Sequence, residues 1–377
     1  MLTIIVTAYN IEEYIDKCLQ TVCGQTNQNI EVLVVDDGST DSTLSICKEY
    51  EHRDNRVEVL HQNNQGIISA RKKGVLAAKG DCITFVDGDD WLEPDIFEKM
   101  IPYISDEIDL ITAGMYVDYE DHTVSCFDYF QDGLYDQGLL DTRIIPEMAW
   151  IDKERVQGIL SSVCNKIFKR ELLIKVLENI DERITDGEDA AIVYPYLLCS
   201  KKIYISKTIG YHYVQRKGSM LHNNCTETFE RISILNEQLR RTMLFENKLL
   251  ERQIKGYLSY HIIPALKEVY NIKPCDLIKT FKLPPLEAYY GKRVVVYGGG
   301  EKGNYYVDTI KNIGETSIVL WVDKNADSLG DWRIVHPARI STCRFDIVII
   351  AINNKEICNE VKLELINAGV DEDSIIF

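Results

Sequence analysis

The chain has 377 residues, 45% of them apolar and 27% charged, with a net charge of −17 at neutral pH. That length implies two or three domains, and so acidic a chain is a poor partner for nucleic acid, whose phosphates require a basic surface. Eleven scattered cysteines form no Cys-x-x-Cys pair and no metal-ligand spacing, which favours reduced thiols in the cytoplasm over a disulfide framework or a zinc site. No apolar run approaches bilayer length, and residues 2–7 read as a first strand rather than a secretory leader. A cytoplasmic protein is expected, with peripheral attachment at the inner face of a membrane and assembly into a homo-oligomer left open.

In chain order, residues 3–8 and 31–35 are short apolar runs with the β-branched bias of buried parallel strands. Between them, residues 11–21 carry Ile11, Tyr14, Ile15, Cys18 and Leu19 at helical spacing. A second helix follows Ser42, a strand covers 57–60, a third helix runs over 67–78 after Gly66, and a strand at 82–86 follows. This βαβα series predicts a parallel sheet with right-handed crossovers. Residues 101–220 are less regular. Helical spacing returns from 226 to about 281, with Phe229, Ile232, Leu235, Leu239 and Met243 on one face and Pro264 and Pro274 expected to interrupt it. Residues 282–286 read as a boundary, and strands at 293–297, 318–322, 346–352 and 374–377 predict a second small α/β domain.

The strand at 82–86 ends in Asp87, Asp89 and Asp90, three carboxylates within four positions. Like charges repel there and each resists losing its water. A divalent cation relieves that cost, and hard oxygen ligands suit Mg²⁺ or Mn²⁺, which commonly complete their shells with water and substrate phosphates. Asp36 and Asp37 end the second strand. Ligands of parallel sheets sit beyond the carboxyl ends of the strands, so both acidic groups are expected on one rim.

Together, Thr3-Ile-Ile-Val-Thr-Ala-Tyr-Asn10, Val34-Val-Asp-Asp-Gly-Ser-Thr-Asp41, Ala70-Arg71 within 66–74 and Phe85-Val-Asp-Gly-Asp-Asp-Trp91 resemble the signature of family 2 glycosyltransferases. Those are nucleotide-sugar-dependent enzymes of the GT-A fold. The likeness continues through Asn165-Lys-Ile-Phe-Lys-Arg-Glu171, Gly187-Glu-Asp189 and Gln215-Arg-Lys-Gly-Ser219, seven motifs in order over residues 1–220. It implies a mixed sheet with helices on both faces in a 1–225 transferase domain, followed by a helical connecting region (226–287) and a C-terminal domain (288–377).

The resemblance also implies roles. Asp37 would accept a hydrogen bond from a uracil ring lying on Ala8 and Tyr9. Asp87 and Asp89 would hold the metal, with Gly88 between them and Asp90 assisting. Arg71 would serve the donor side, and Arg216 and Ser219 a loop that closes over the diphosphate. Asp189 is expected to be the general base, held ionised by a helix N-terminus, with Glu188 as its positioning partner. Lys166 is a weaker candidate for phosphate or acceptor contact, set against a surface lysine. His212 and His222 flank the 216–219 loop, where a metal contact is set against a structural role.

The last domain presents Gly298, Gly300 and Gly303 after a strand, with Asp323 ending the next one. This fits Gly-x-Gly-x-x-Gly in the context of a Rossmann-like nucleotide-binding half, although Glu301 sets a negative charge beside the loop. A bound nucleotide there is weighed against a degenerate module for assembly or regulation. The expected activity is metal-assisted, inverting transfer of a hexosyl or N-acetylhexosaminyl group from a UDP-linked or other nucleotide-diphosphate sugar to a cell-surface glycan or lipid-linked acceptor. The alternatives are a nucleotide-binding scaffold with an inactive transferase fold, or a sugar-nucleotide-modifying oxidoreductase built on the C-terminal glycine loop.

Overall fold

Two runs with almost no polar face, Leu2–Ala8 (β1) and Ile30–Asp36 (β2), are buried along their whole length. Such strands suit the middle of a parallel sheet covered on both sides, and the two pair in parallel from Leu2↔Ile30 to Ala8↔Asp36. Their polar exceptions find partners inside, as where Thr3 Oγ1 donates to Glu31 Oε2 at 2.6 Å. The computed structural model describes residues 1–154, 156–216, 225–243, 248–270, 284–285, 288–311, 316–328 and 333–377. Two compact units divide the chain, Met1–Lys273 and Pro274–Phe377.

In the first unit, helices Ile15–Cys23 (α1), Thr43–Arg53 (α2) and Ile67–Ala77 (α3) carry the chain between β1, β2, Val57–His61 (β3) and Cys82–Asp87 (β4). These strands lie in the parallel order β3-β2-β1-β4, as the βαβα reading predicts. Beyond β4 the sheet becomes mixed. Lys166–Lys169 (β9) runs antiparallel between β4 and Leu110–Asp118 (β6). Ile203–Val214 (β10) pairs in parallel with β6, and Trp91–Leu92 (β5) in antiparallel with β10. The short strands Thr123–Cys126 (β7) and Gly133–Tyr135 (β8) pair with β6 and β10. Helices Ile96–Met100 (α4), Arg170–Leu177 (α5) and Glu188–Cys199 (α6) complete this body.

Register fixes the rim. Thr7 sits opposite Asp87 and Ala8 opposite Asp36, so the carboxyl ends of β2 and β4 flank that of β1.

Three sequence expectations need correction. Helix α1 starts at Ile15 rather than Ile11. Asn10 takes a left-handed backbone, and the N–H groups of Asn10, Ile11 and Glu12 donate to Ser39, Thr43 and Asp41, so the chain turns before it coils. The helices Cys225–Met243 (α7) and Lys248–Tyr270 (α8), expected as a connecting region, belong to the first unit. Ile232, Leu235, Leu239 and Met243 are buried, and Gln253 accepts the Ala149 N–H and donates to Ile145 O at 2.9 Å each. Helix α8 also runs through Pro264; the fixed φ of proline is helical, so the chain forfeits a backbone bond without having to stop. Pro274 lies outside the described residues, as do 282, 283 and 286 of the expected boundary.

The second unit is a five-stranded parallel sheet in the order β13-β12-β11-β14-β15. Its strands are Arg293–Tyr297 (β11), Ser317–Val322 (β12), Ile334–Val335 (β13), Ile347–Ile350 (β14) and Ile375–Ile376 (β15), accompanied by helices Glu301–Lys311 (α9) and Lys355–Asn367 (α10). Val294, Val296, Ile347 and Ile349 pack in one apolar cluster, and Val295, Tyr297, Val348 and Ile350 in another. That alternation shows both sheet faces covered. The two-residue β13 is the strand of this sheet that the sequence reading does not include.

Candidate active site

The three carboxylates after β4 diverge. Asp87 stays at the rim: its Oδ1 accepts from Thr7 Oγ1 (3.1 Å) and Arg71 Nη2 (3.2 Å), and its Oδ2 from Cys164 Sγ (3.5 Å). Gly88 follows with its N–H on Thr7 O at 2.9 Å. Asp89 Oδ2 accepts from Arg216 Nε at 2.6 Å, and the Arg216 guanidinium lies over the Tyr14 ring. Asp90 instead points into the core, where Tyr211 Oη donates to it at 2.5 Å and the Val214 N–H at 2.8 Å. It anchors β10, which corrects the expectation that it assists at the rim. Burial raises the pKa of Asp89, with the Asp87 charge adding to it; Asp90 is raised further by burial, Asp89 and Asp87.

Helix α3 carries Arg71 beneath this rim, only 1% exposed. Its Nη1 donates to Asp189 Oδ1 at 2.5 Å and lies 3.8 Å from Glu188, while Nη2 reaches Asp87. Burial opposes the charge, but Asp189, Asp87 and Glu188 together hold the guanidinium more firmly protonated than usual. Expected to meet a ligand anion, Arg71 is held by the protein's own carboxylates.

Asp189 and Glu188 open α6. Gly187 precedes them at φ 73°, and a Cβ there would stand 2.4 Å from Leu235 of α7, so the helix backs the turn that aims both acids. Asp189 Oδ2 also accepts the Val163 N–H at 3.1 Å, and its side chain remains 22% exposed. The helix N-terminus is expected to hold Asp189 ionised; burial works against it and raises the pKa, Arg71 opposing and Asp87 adding. Glu188 is raised by burial and by Asp189.

Lys166 is neither on the surface nor at the rim. Fully buried, it donates from Nζ to Leu160 O and Ser162 O at 2.7 Å and to Asn165 Oδ1 at 2.9 Å. Burial lowers its pKa to about 8. The loop it clasps presents the Val163 N–H to Asp189 and Cys164 Sγ to Asp87. Nothing in residue type marks Val163 or Cys164 beyond their place just before Asn165.

Asp37, nearly buried, accepts the N–H groups of Gln65 (2.9 Å) and Gly66 (2.8 Å) and Gln62 Nε2 (2.7 Å), while its own N–H donates to Ala8 O. Its turn-forming role is therefore in place, and a carboxylate offers about four acceptor sites, so one is left for a ligand. Ala8 is buried beside it and Tyr9 is 47% exposed. His212 is sandwiched between Trp91 and Tyr116, and its two ring nitrogens lie 2.9 Å from Asp118 and 3.3 Å from Glu93, a structural stack. Ser219, Gly218 and His222 lie outside the described residues. Gly298, Gly300, Gly303 and Asp323 come together in the second unit, at the ends of β11 and β12.

Among the described residues, no three His, Cys, Asp or Glu side chains are placed to enclose a metal ion. The rim offers Asp87 and Asp89, whose mutual repulsion a cation would relieve. That donor set fits a hard cation taking its other ligands from a substrate diphosphate and water. Among the described residues, no helix is long and apolar enough to cross a membrane.

A family model for glycosyl transferase family 2 matches residues 3–176, and a C2185-like N-terminal model matches 290–376. Glycosyltransferase GlyA of Streptococcus pneumoniae is 34% identical over 223 residues, 58% of this chain; the chain spans only 31% of that relative's length. The uncharacterized glycosyltransferase EpsJ of Bacillus subtilis is 37% identical over 277 residues, covering 73% of this chain and 75% of EpsJ. Among solved structures, S. aureus TarS 1–349 in complex with UDP-GlcNAc aligns with a TM-score of 0.52 and 22% identity, over 69% of this chain and 72% of that one, a likeness of GT-A fold. With its β4 rim, its family match and EpsJ covered over three quarters of its length, the chain belongs to family 2 of the glycosyltransferases.

Proposed function

We propose that the chain is an inverting transferase moving a sugar from a UDP-linked donor to a hydroxyl of a cell-surface glycan or lipid-linked acceptor. The observation that carries this reading is the Arg71 guanidinium. It ties Asp87, 16 residues away on the donor side, to Asp189, 118 residues away, in one ion group around a buried guanidinium. Asp189 acts as the base: as the acceptor oxygen attacks the anomeric carbon and the bond to the diphosphate breaks, the hydroxyl proton passes to its carboxylate. One such carboxylate suffices for a single inverting displacement. Burial raises its pKa, which makes the carboxylate a stronger base. Its partial exposure leaves room for an acceptor, while Arg71 and the Val163 N–H fix its plane.

Asp37 and the exposed face of Tyr9 receive the base of the nucleotide, and Arg216 meets the diphosphate. A Mn²⁺ or Mg²⁺ ion held by Asp87 and Asp89 supplies, when bound, Lewis-acid stabilisation of the leaving diphosphate. UDP is favoured because TarS has been crystallised with UDP and with UDP-GlcNAc. The test is a panel of nucleotide sugars offered to the purified chain with Mn²⁺ or Mg²⁺. Hydrolysis of one donor, or thermal stabilisation by it, is expected; no response to any nucleotide sugar overturns the reading.

A further inference from the structure

The second unit has a glycine loop that contributes no residue to the site described above. We propose that it binds a nucleoside diphosphate, in a crevice of its own at the carboxyl ends of β11, β12 and β14. In chain order the sheet runs 3-2-1-4-5, reversing between β11 and β14, and ligands of open α/β sheets sit outside the strand ends at such a reversal. A cavity of about 290 Å³ lies there, walled by Gly298 and Gly300 after β11, Asp323 and Asn325 after β12, and Ile352 after β14. Its volume is at the small end of ligand pockets, which span roughly 300–1,000 Å³. Among the described residues of this unit, one mononucleotide-binding half is formed. Both facts favour a mononucleotide over a dinucleotide.

The three glycines separate fold from ligand. Gly298 has φ +127°, and a Cβ there would stand 2.6 Å from Ala351 O; a Cβ on Gly303 would stand 1.8 Å from Gly298 O. Those two are required by the turn and by the close approach of α9. Gly300 is different: its backbone is ordinary, and a Cβ would meet no atom within 4 Å. Among the described residues no contact requires glycine at this position, and Gly300 borders the cavity. A diphosphate approaching the first N–H groups of α9 would need that space.

Asp323 supplies the second recognition element. Its Oδ2 accepts the Gly299 N–H and its Oδ1 the Asn325 N–H, each at 2.7 Å, which aims the carboxylate along the cavity wall. Each oxygen keeps an acceptor site, suited to ribose hydroxyls and repelling a 2′-phosphate. Ile352, Ile357 and Val361 give the apolar side against which a base can lie.

The test is hydrogen–deuterium exchange of the full chain with UDP or ADP, each alone and without metal. Slower exchange over 297–304 and 321–326 with at least one of them is expected. Gly300→Val puts a side chain into the open space and should weaken that binding at least about tenfold, the scale of one lost charge-assisted contact. Asp323→Asn, which keeps the side-chain size but leaves one of the Gly299 and Asn325 N–H groups without its acceptor, should give a comparable loss, and exchange over 297–304 in the unliganded variants shows whether either substitution disturbs the loop. No protection in these segments with either nucleotide, or protection that persists in both variants, overturns the proposal. Protection within residues 1–216 reports the donor site separately, so either reading can fail alone.

Discussion

Replacing Lys166 with methionine sets two opposing costs against each other. Burial lowers the lysine pKa from 10.5 to about 8, so keeping it charged at pH 7 costs roughly 3 kcal/mol at 1.36 kcal/mol per pKa unit. Methionine removes that cost. It also leaves Leu160 O, Ser162 O and Asn165 Oδ1 without their donor, and each orphaned buried acceptor costs about 1–3 kcal/mol. The sum, roughly 3–9 kcal/mol, matches the relief at its low end and exceeds it over the rest, giving a net loss between about zero and 6 kcal/mol. The pH dependence has a fixed sign. Because the folded pKa lies below the unfolded one, the unfolded chain holds more protons between about pH 8 and 10.5. Lysine's contribution to wild-type stability is therefore full above pH 10.5 and is lost as pH falls to about 8. Urea unfolding at pH 7 and at pH 10, with transfer kinetics alongside, measures both effects. The variant should be less stable at pH 7 and lack the alkaline rise, and kcat should fall more than donor KM changes as Val163 loses its aim at Asp189. Wild-type stability at pH 7 with unchanged kcat would refute the reasoning.

Asp37→Ala should raise donor KM more than it lowers kcat, because it removes the candidate base contact and frees the start of α3; steady-state kinetics with an unchanged KM would take Asp37 out of the donor site. Chelation with EDTA should abolish transfer and Mn²⁺ restore it, whereas full activity in chelator would leave Asp87 and Asp89 without an ion to hold. Glu188 has its pKa raised above the ordinary 4.5 by burial and Asp189, so the folded state binds its proton more tightly and stability declines as pH rises from there. Glu188→Gln should therefore melt at a progressively higher temperature than wild type between pH 5 and 8; parallel melting curves would show that Glu188 carries no such penalty.

What the sequence disclosed was local. An apolar run ending in Asp87, Asp89 and Asp90 stands out within ten residues, and strand alternation places it on the same rim as Asp37. The join between Arg71 and Asp189 was hidden because 118 residues separate them; the family motifs marked both residues but not their contact. Charge type misled at Lys166, since lysine ordinarily reads as surface and only the surrounding carbonyls make its burial tolerable. Asp90 misled for a related reason, as its partners Tyr211 and Val214 come from β10, more than a hundred residues on. Helical spacing in α7 exposed its apolar face through Leu235 and Leu239, yet nothing in that spacing says the face packs behind Gly187.

The central claim is that Asp189 removes the acceptor proton within the Arg71 ion group. Donor affinity and kcat should be measured together for Asp189→Asn, which keeps the shape and discards the base. The account predicts donor binding close to wild type and kcat lowered about 10²–10⁴-fold, the usual contribution of general base catalysis. Transfer at the wild-type rate would contradict it.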